Sequence, residues 1–275
     1  MTTVKSGAVD VDRVNMNSIG RRLSSTLACL AGITLLTMHF SCESGPVRPD
    51  TPDAAYRFKG VLVKDLNTDF AQIRATLSRN DTTVADGSIL FGGDSLAYLP
   101  DSTYFRAVLP AGDYPLGVYN IEIRDSSLFH DTLAVGVPDT FSITNVFPDT
   151  RIKAGSTVRV EWRGSAAAEG YVIAAAKRDS AYMGVGFSQY VTSQSTSAAY
   201  PDSAFAGITG EADIGWYYLY VYAYIGAPDS LLSADLLPVP MPSQLAGNLS
   251  VVDLEGRFGT IVVTRFDSMN VDLQY

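Results

Sequence analysis

From Tyr56 onward apolar side chains recur at every second position, the period of a strand with one face buried and one in water. Tyr56-Arg-Phe-Lys-Gly-Val-Leu-Val-Lys64 alternates in this way, and so does Gln72-Ile-Arg-Ala-Thr-Leu-Ser78. Each run stops at Asn, Asp, Gly or Ser, as at Arg79-Asn-Asp-Thr82 and Gly92-Gly-Asp-Ser95, residues that set turns. Further strands are predicted at 104–109, 116–123 and 128–135. No stretch in this part of the chain shows the 3.6-residue period of a 10–12-residue amphipathic helix. Pro-Asp followed by Ser or Thr recurs at 49, 100, 138, 148, 201 and 228. Proline fixes φ and the polar pair bonds back to the local backbone, so each copy reads as a turn, and the irregular intervals argue against a solenoid. Strands at this spacing without helices predict an all-β chain of two sandwiches.

The first 55 residues follow a different pattern. Read from Met16, a short basic stretch ending in Arg21-Arg22 precedes an uncharged run of 14 residues, Leu27–Phe40. A helix crossing a bilayer needs roughly 20 residues, so the run suits the apolar part of a cleavable leader better than a permanent anchor. Residues 1–41 are accordingly expected to be a signal peptide, with Met16 a candidate start. The run ends in His39-Phe40-Ser41-Cys42, which resembles the lipobox of bacterial lipoproteins; His39 stands where the family prefers a Leu-like residue, and Phe40 is bulkier than usual. The resemblance implies cleavage before Cys42 and lipid attachment to its sulfur. Ordinary cleavage near Ser44, releasing a soluble product, is the alternative. Residues 42–55 hold three prolines and almost nothing apolar, so they are expected to form an extended spacer. The implied location is the bacterial envelope, held to a membrane, the outer more than the inner.

Val137-Pro-Asp-Thr140 reads as a domain joint, giving a first sandwich over 56–137 and a second over 138–242. In the second, Gly155-Ser-Thr-Val-Arg-Val-Glu-Trp162 places Val158, Val160 and Trp162 on one face, and Tyr217-Tyr-Leu-Tyr-Val-Tyr-Ala223 forms a later strand. This resembles a fibronectin type III or related Ig-like module across about 139–240. The resemblance implies that Tyr217, Leu219, Val221 and Ala223 point into the core. Strands in 243–275 are expected to pack on the second sandwich, since three strands alone are marginally stable.

That register puts Trp216, Tyr218, Tyr220, Tyr222 and Tyr224 together on the opposite face, the leading candidate for recognition of a protein or glycan. The competing expectation is that other parts of the chain cover the stripe, which makes it internal packing of a structural envelope component. Exposure of Tyr218, Tyr220 and Tyr222 separates the two.

Composition narrows the chemistry. The chain carries a net charge of −9, and residues 1–41 hold four basic and two acidic side chains, so the remainder is near −11. No Lys/Arg cluster is present, and such a field repels phosphate backbones, so nucleic acid is not an expected partner. With Cys29 and His39 inside the leader, Cys42 and His130 are the one cysteine and one histidine beyond it. A His/Cys zinc site and an intrachain disulfide are thereby excluded. Asp65, Asn67 and Asp69 match the first three ligand positions of a calcium loop, but Phe70 stands where its glycine belongs and Thr76 where its closing Glu belongs; a turn accounts for them as well. No nucleophile elbow, phosphate-binding glycine loop or metalloprotease helix motif occurs. No cofactor and no enzymatic activity are expected, with a glycan-active or hydrolase-accessory role as the third reading.

Overall fold

The computed structural model describes residues 55–126, 128–206, 213–243 and 245–273. Over them the alternating runs become strands. The first half holds β1 (Tyr56–Asp65), β2 (Phe70–Arg79), β3 (Thr82–Thr83), β4 (Ser88–Phe91), β5 (Asp94–Ser95), β6 (Ala97–Leu99), β7 (Tyr104–Leu109), β8 (Gly117–Asp125) and β9 (Phe129–Val137). The second holds β10 (Ile143–Phe147), β11 (Arg151–Lys153), β12 (Val158–Trp162), β13 (Gly170–Lys177), β14 (Phe187–Thr192), β15 (Ser197–Tyr200), β16 (Gly215–Gly226), β17 (Leu249–Val251) and β18 (Leu254–Asp272). The only α-helix among the described residues is the single turn Ser230–Ser233. The all-β, sandwich-forming class read from the alternation is the class observed.

One eleven-stranded sheet runs through both halves in the order β14-β13-β16-β18-β1-β2-β7-β6. A four-stranded sheet, β5-β4-β8-β9, packs over its first half, and a three-stranded sheet, β10-β12-β15, over its second. Two cores lie on this one face. The first gathers Phe58, Leu62, Ile73, Phe91, Phe105, Ile123 and Phe258. The second gathers Val158, Val160, Trp162, Tyr171, Ile173, Leu219, Val221 and Val262. Tyr217, Leu219, Val221 and Ala223 all point into it, as the fibronectin-type pattern implied.

The C-terminal strand joins the halves. Beyond its expected packing against the second sandwich, β18 pairs antiparallel with β16 from Gly259 to Val271. Its other edge pairs parallel with β1, Tyr56 opposite Leu254 through Asp65 opposite Val263. A strand has two edges, and a 19-residue one is long enough to give each to a different sandwich. The joint needs glycine. Gly256 sits at φ +146°, and a Cβ there would fall 1.8 Å from the Phe58 carbonyl oxygen, closer than any side chain can come.

A third core lies on the opposite face of the sheet. Val61, Val63, Val172, Ala174, Tyr220, Tyr222, Ile261 and Val263 are capped there by Leu236, Leu237, Val239 and Met241. The capping segment starts at Asp229, whose carboxylate accepts from the backbone N–H groups of Leu231 and Leu232 at 3.1 Å each, the usual N-cap arrangement. Arg74, reaching across from β2, pairs with Asp235.

Candidate functional site

The register of β16 decides the fate of the aromatic stripe. Its odd residues enter the second core, so its even residues share the other face, as the alternation requires. That face is covered over most of its length, so the five aromatics do not form one open recognition surface. Tyr222 is fully buried; its hydroxyl donates to the Val239 carbonyl at 3.0 Å and accepts from the Val239 N–H at 3.2 Å. Tyr220, also buried, packs between the rings of Tyr218 and Tyr222. Tyr218 is half-buried beneath the Arg265 guanidinium, 4.5 Å from its ring centroid. Tyr224 is half-buried too, its ring lying over Gly170, where a Cβ would meet the Tyr224 hydroxyl at 2.5 Å. The physical reason is the segment 229–241, whose Leu236, Leu237, Val239 and Met241 pack against this face.

Trp216 is the member that stays open, at 48% exposure. It stands at the start of β16, next to a depression of the surface. A shallow hollow is formed by Trp216, Gly215, Lys177, Arg178 and Asp179. It shares Lys177 with a deeper groove of about 370 Å³. That groove is lined by Ala175, Phe187, Val185 and Tyr217 together with Ser180 and Ser203. Ile214 and Val185 are exposed beside it, at 49% and 45%.

The polar centre of this surface is an ion pair. Lys177 Nζ donates to Asp213 Oδ1 at 2.6 Å, and this hydrogen bond is the main cause holding the Lys177 ammonium above its ordinary pKa. Asp213 is fixed by its backbone: its N–H donates to the Phe205 carbonyl at 3.1 Å, and its own carbonyl accepts from the Tyr217 hydroxyl at 2.8 Å. Burial, then the nearby Asp213 and Asp179 carboxylates, push the Tyr217 phenol up to about 12. It therefore stays a neutral donor at physiological pH. The Arg178 N–H donates to the Trp216 carbonyl at 2.8 Å, tying the indole's backbone to the end of β13. The exposed indole and the groove that holds Asp213, Ser180 and Ser203 are thus linked through Lys177, which lines both depressions.

The other residues singled out in sequence fall elsewhere. Asp65 Oδ1 accepts from the backbone N–H and the side-chain amide of Asn67, both at 2.8 Å, and Asp65 Oδ2 accepts from the Tyr182 hydroxyl. Asp69 Oδ1 accepts from the Ala111 N–H at 3.2 Å. These groups hold a turn, and among the described residues no cluster of three His, Cys, Asp or Glu could hold a metal ion. His130 is exposed on β9, opposite Arg124 of β8. Cys42, the expected leader and residues 42–54 of the expected spacer lie outside the described residues. Sequence reading reached Trp216 but not Lys177, Ser180, Ser203 or Asp213. Those four belong to three chain segments that meet only because β13 pairs with β16 and the turn Asp202–Phe205 folds beneath them, and no local motif marks them.

No protein-family model matches the chain, and no curated protein matches it. Among solved structures it is similar to chicken CNTN1 FN1-FN3 domains, with 14% identity and a TM-score of 0.26 over 55% of this chain and 56% of that one. It is also similar to fibronectin(III)-like modules of Clostridium thermocellum CbhA, with 12% identity and a TM-score of 0.20 over 78% and 93% of the two chains. The chain spans little more than half of the chicken structure, and its β-sandwich class stands on the strand pairing itself.

Proposed function

We propose that this chain is a non-catalytic binding module of the bacterial envelope, tethered to a membrane through a lipid on Cys42, and that it takes a glycan at the Trp216–Lys177 surface. The observation that carries the reading is the pairing of an exposed indole with the Lys177–Asp213 ion pair at the mouth of a groove. Sugar rings present an apolar C–H face and a rim of hydroxyls. The indole suits the first, and the second calls for a few fixed donors and acceptors, here Lys177, Asp213, Ser180 and Ser203. The surrounding negative field favours a neutral or cationic glycan over an anionic one. The fibronectin-type resemblance of the second sandwich supports a binding role over a catalytic one.

Retention of the chain in native gels containing neutral or amino-sugar polysaccharides tests the reading. Trp216→Ala is expected to abolish retention by at least one of them while leaving the thermal midpoint within a degree or two. A variant retained as strongly as the parent on every polysaccharide that retains the parent refutes it, and so does a parent that none retains. Intact mass of the mature chain tests the tether separately: a diacylglyceryl-modified Cys42 supports it, and a free thiol or cleavage near Ser44 removes it.

The burial of Tyr220 and Tyr222 favours a second reading, a structural component of the envelope whose aromatics are packing alone. It predicts that Trp216→Ala changes no binding at all.

A further inference from the structure

Turns between strands are normally built from Asn, Asp, Gly, Ser or Pro, which suit both a bent backbone and water. Two turns at one end of the first sandwich depart from that chemistry. Val251 pairs with Leu254 across the β17–β18 hairpin, which leaves Val252 and Asp253 at its tip. Val252 is 86% exposed, the most of any large apolar side chain among the described residues, and Val251 is 44% exposed. Leu128, in the turn between β8 and β9, is 66% exposed. None of the three packs into the first core.

Both turns flank the point where the chain enters the fold. The Tyr56 N–H donates to the Asp253 carbonyl at 2.9 Å. Its ring stacks on Phe129 at 4.3 Å, and its hydroxyl donates to Asp125 Oδ2 at 2.8 Å. The Asp125 carbonyl accepts from the Leu128 N–H at 3.0 Å. Charges at this end pair off, Arg57 with Asp81 and Glu255, and Arg79 with Asp125. Trp216 lies at the other end of β18. Tyr56 stands opposite Leu254 and Trp216 opposite Asn270, and at roughly 3.3 Å per residue the strand between those partners spans about 50 Å.

We propose that this end of the first sandwich rests on the membrane that holds the chain, with Leu128, Val251 and Val252 entering the lipid interface and β18 carrying the Trp216 surface outward. The inference rests on the Cys42 tether proposed above and adds how the fold stands on it. Residues 43–54 link Cys42 to Ala55, a stretch that reaches at most about 45 Å. The start of β1 is therefore held within that distance of the bilayer. The Trp216 end could touch the same bilayer only with the link drawn out to its limit, at a large cost in chain entropy. At the near end, three apolar side chains that the fold leaves in water gain burial in lipid. The paired charges, and Asp253 at the hairpin tip, suit a zwitterionic lipid surface over an anionic one.

Quenching of tryptophan by lipid-borne bromine tests this with the full chain, extracted from a bacterial membrane and reconstituted in phosphatidylcholine vesicles with plain or brominated acyl chains. Bromine quenches an indole only at close range. The parent, with Trp216 at the far end and Trp162 buried in the second core, is expected to emit equally in both vesicles. Val252→Trp is expected to lose part of its added emission in the brominated ones. Val118→Trp, at the other end of β8 and 75% exposed, is expected to lose none. Intact mass of the reconstituted chain reads the tether first: a chain without lipid on Cys42 removes the tether and the docking with it. With the lipid present, an unquenched Val252→Trp overturns the docking and leaves the tether standing. Quenching of the parent, or of Val118→Trp as strongly as Val252→Trp, overturns it equally, because the molecule then lies on another face.

Discussion

Trp216 and Tyr222 stand on one strand and face the same side of it, yet one is half-exposed and the other fully buried. The difference lies in what reaches them across the chain. Tyr222 exchanges hydrogen bonds in both directions with Val239, so its hydroxyl is satisfied where water cannot serve it. Alternation told which residues share a face, because side-chain direction is a local property of a strand. It could not tell which part of that face another segment would cover, because cover is supplied by residues far away in sequence. The same scale holds the tightest steric constraint in the fold. Replacing Gly256 with Ala drives a methyl group into the Phe58 carbonyl at a φ that favours glycine. A loss of roughly 3 kcal/mol or more is expected in urea unfolding, from backbone strain and overpacking together.

At the scale of elements, the segment 229–241 turns an aromatic stripe into a core. It was illegible in the sequence because it has no period: one helical turn, then prolines at 238, 240 and 242 between apolar residues. Its leucines make sense only when placed against Val172, Tyr222 and Ile261 on three different strands. Asp229 starts it, buried and bonded to two helix N–H groups. Asp229→Ala should therefore cost about 1–2 kcal/mol, the usual price of a lost N-cap. It should also raise the solvent exposure of Tyr220 and Tyr222, read as faster amide exchange in β16. Unchanged exchange there would mean the cap holds the face without its helix turn. The turn at Asp65, Asn67 and Asp69 was legible at this scale from residue chemistry alone.

For the whole molecule, β18 makes two sandwiches into one sheet. The sequence showed two sets of strands and a tail, but a parallel pairing between β1 and β18 joins the extremes of the described chain, and short-range pattern carries no trace of it. The dense tyrosine packing has a consequence for pH. Burial is the largest cause raising Tyr190 and Tyr217 to about 12, and it pushes Tyr200, Tyr220 and Tyr222 up as well. In the unfolded chain these phenols ionise near 10. Their contribution to stability is thus fully present below about pH 10 and is lost as pH rises through the folded-state values, because the unfolded chain releases protons first. Absorbance at 295 nm should show some tyrosines titrating near 10 and the remainder only in a cooperative step that coincides with unfolding. A single smooth titration of all of them near 10, with the fold intact, would contradict the burial described here.

The central claim is that recognition sits at the open end of β16 and not along its covered stripe, and the two tryptophans allow it to be tested in one titration. Trp162 is buried in the second core and Trp216 is exposed, so acrylamide quenching of the emission should resolve a shielded and an accessible component. Adding the polysaccharide that retains the chain should protect the accessible component alone, and that component should vanish in Trp216→Phe. If that polysaccharide binds while Trp216 remains as quenchable as before, the site lies elsewhere and the account of its function fails.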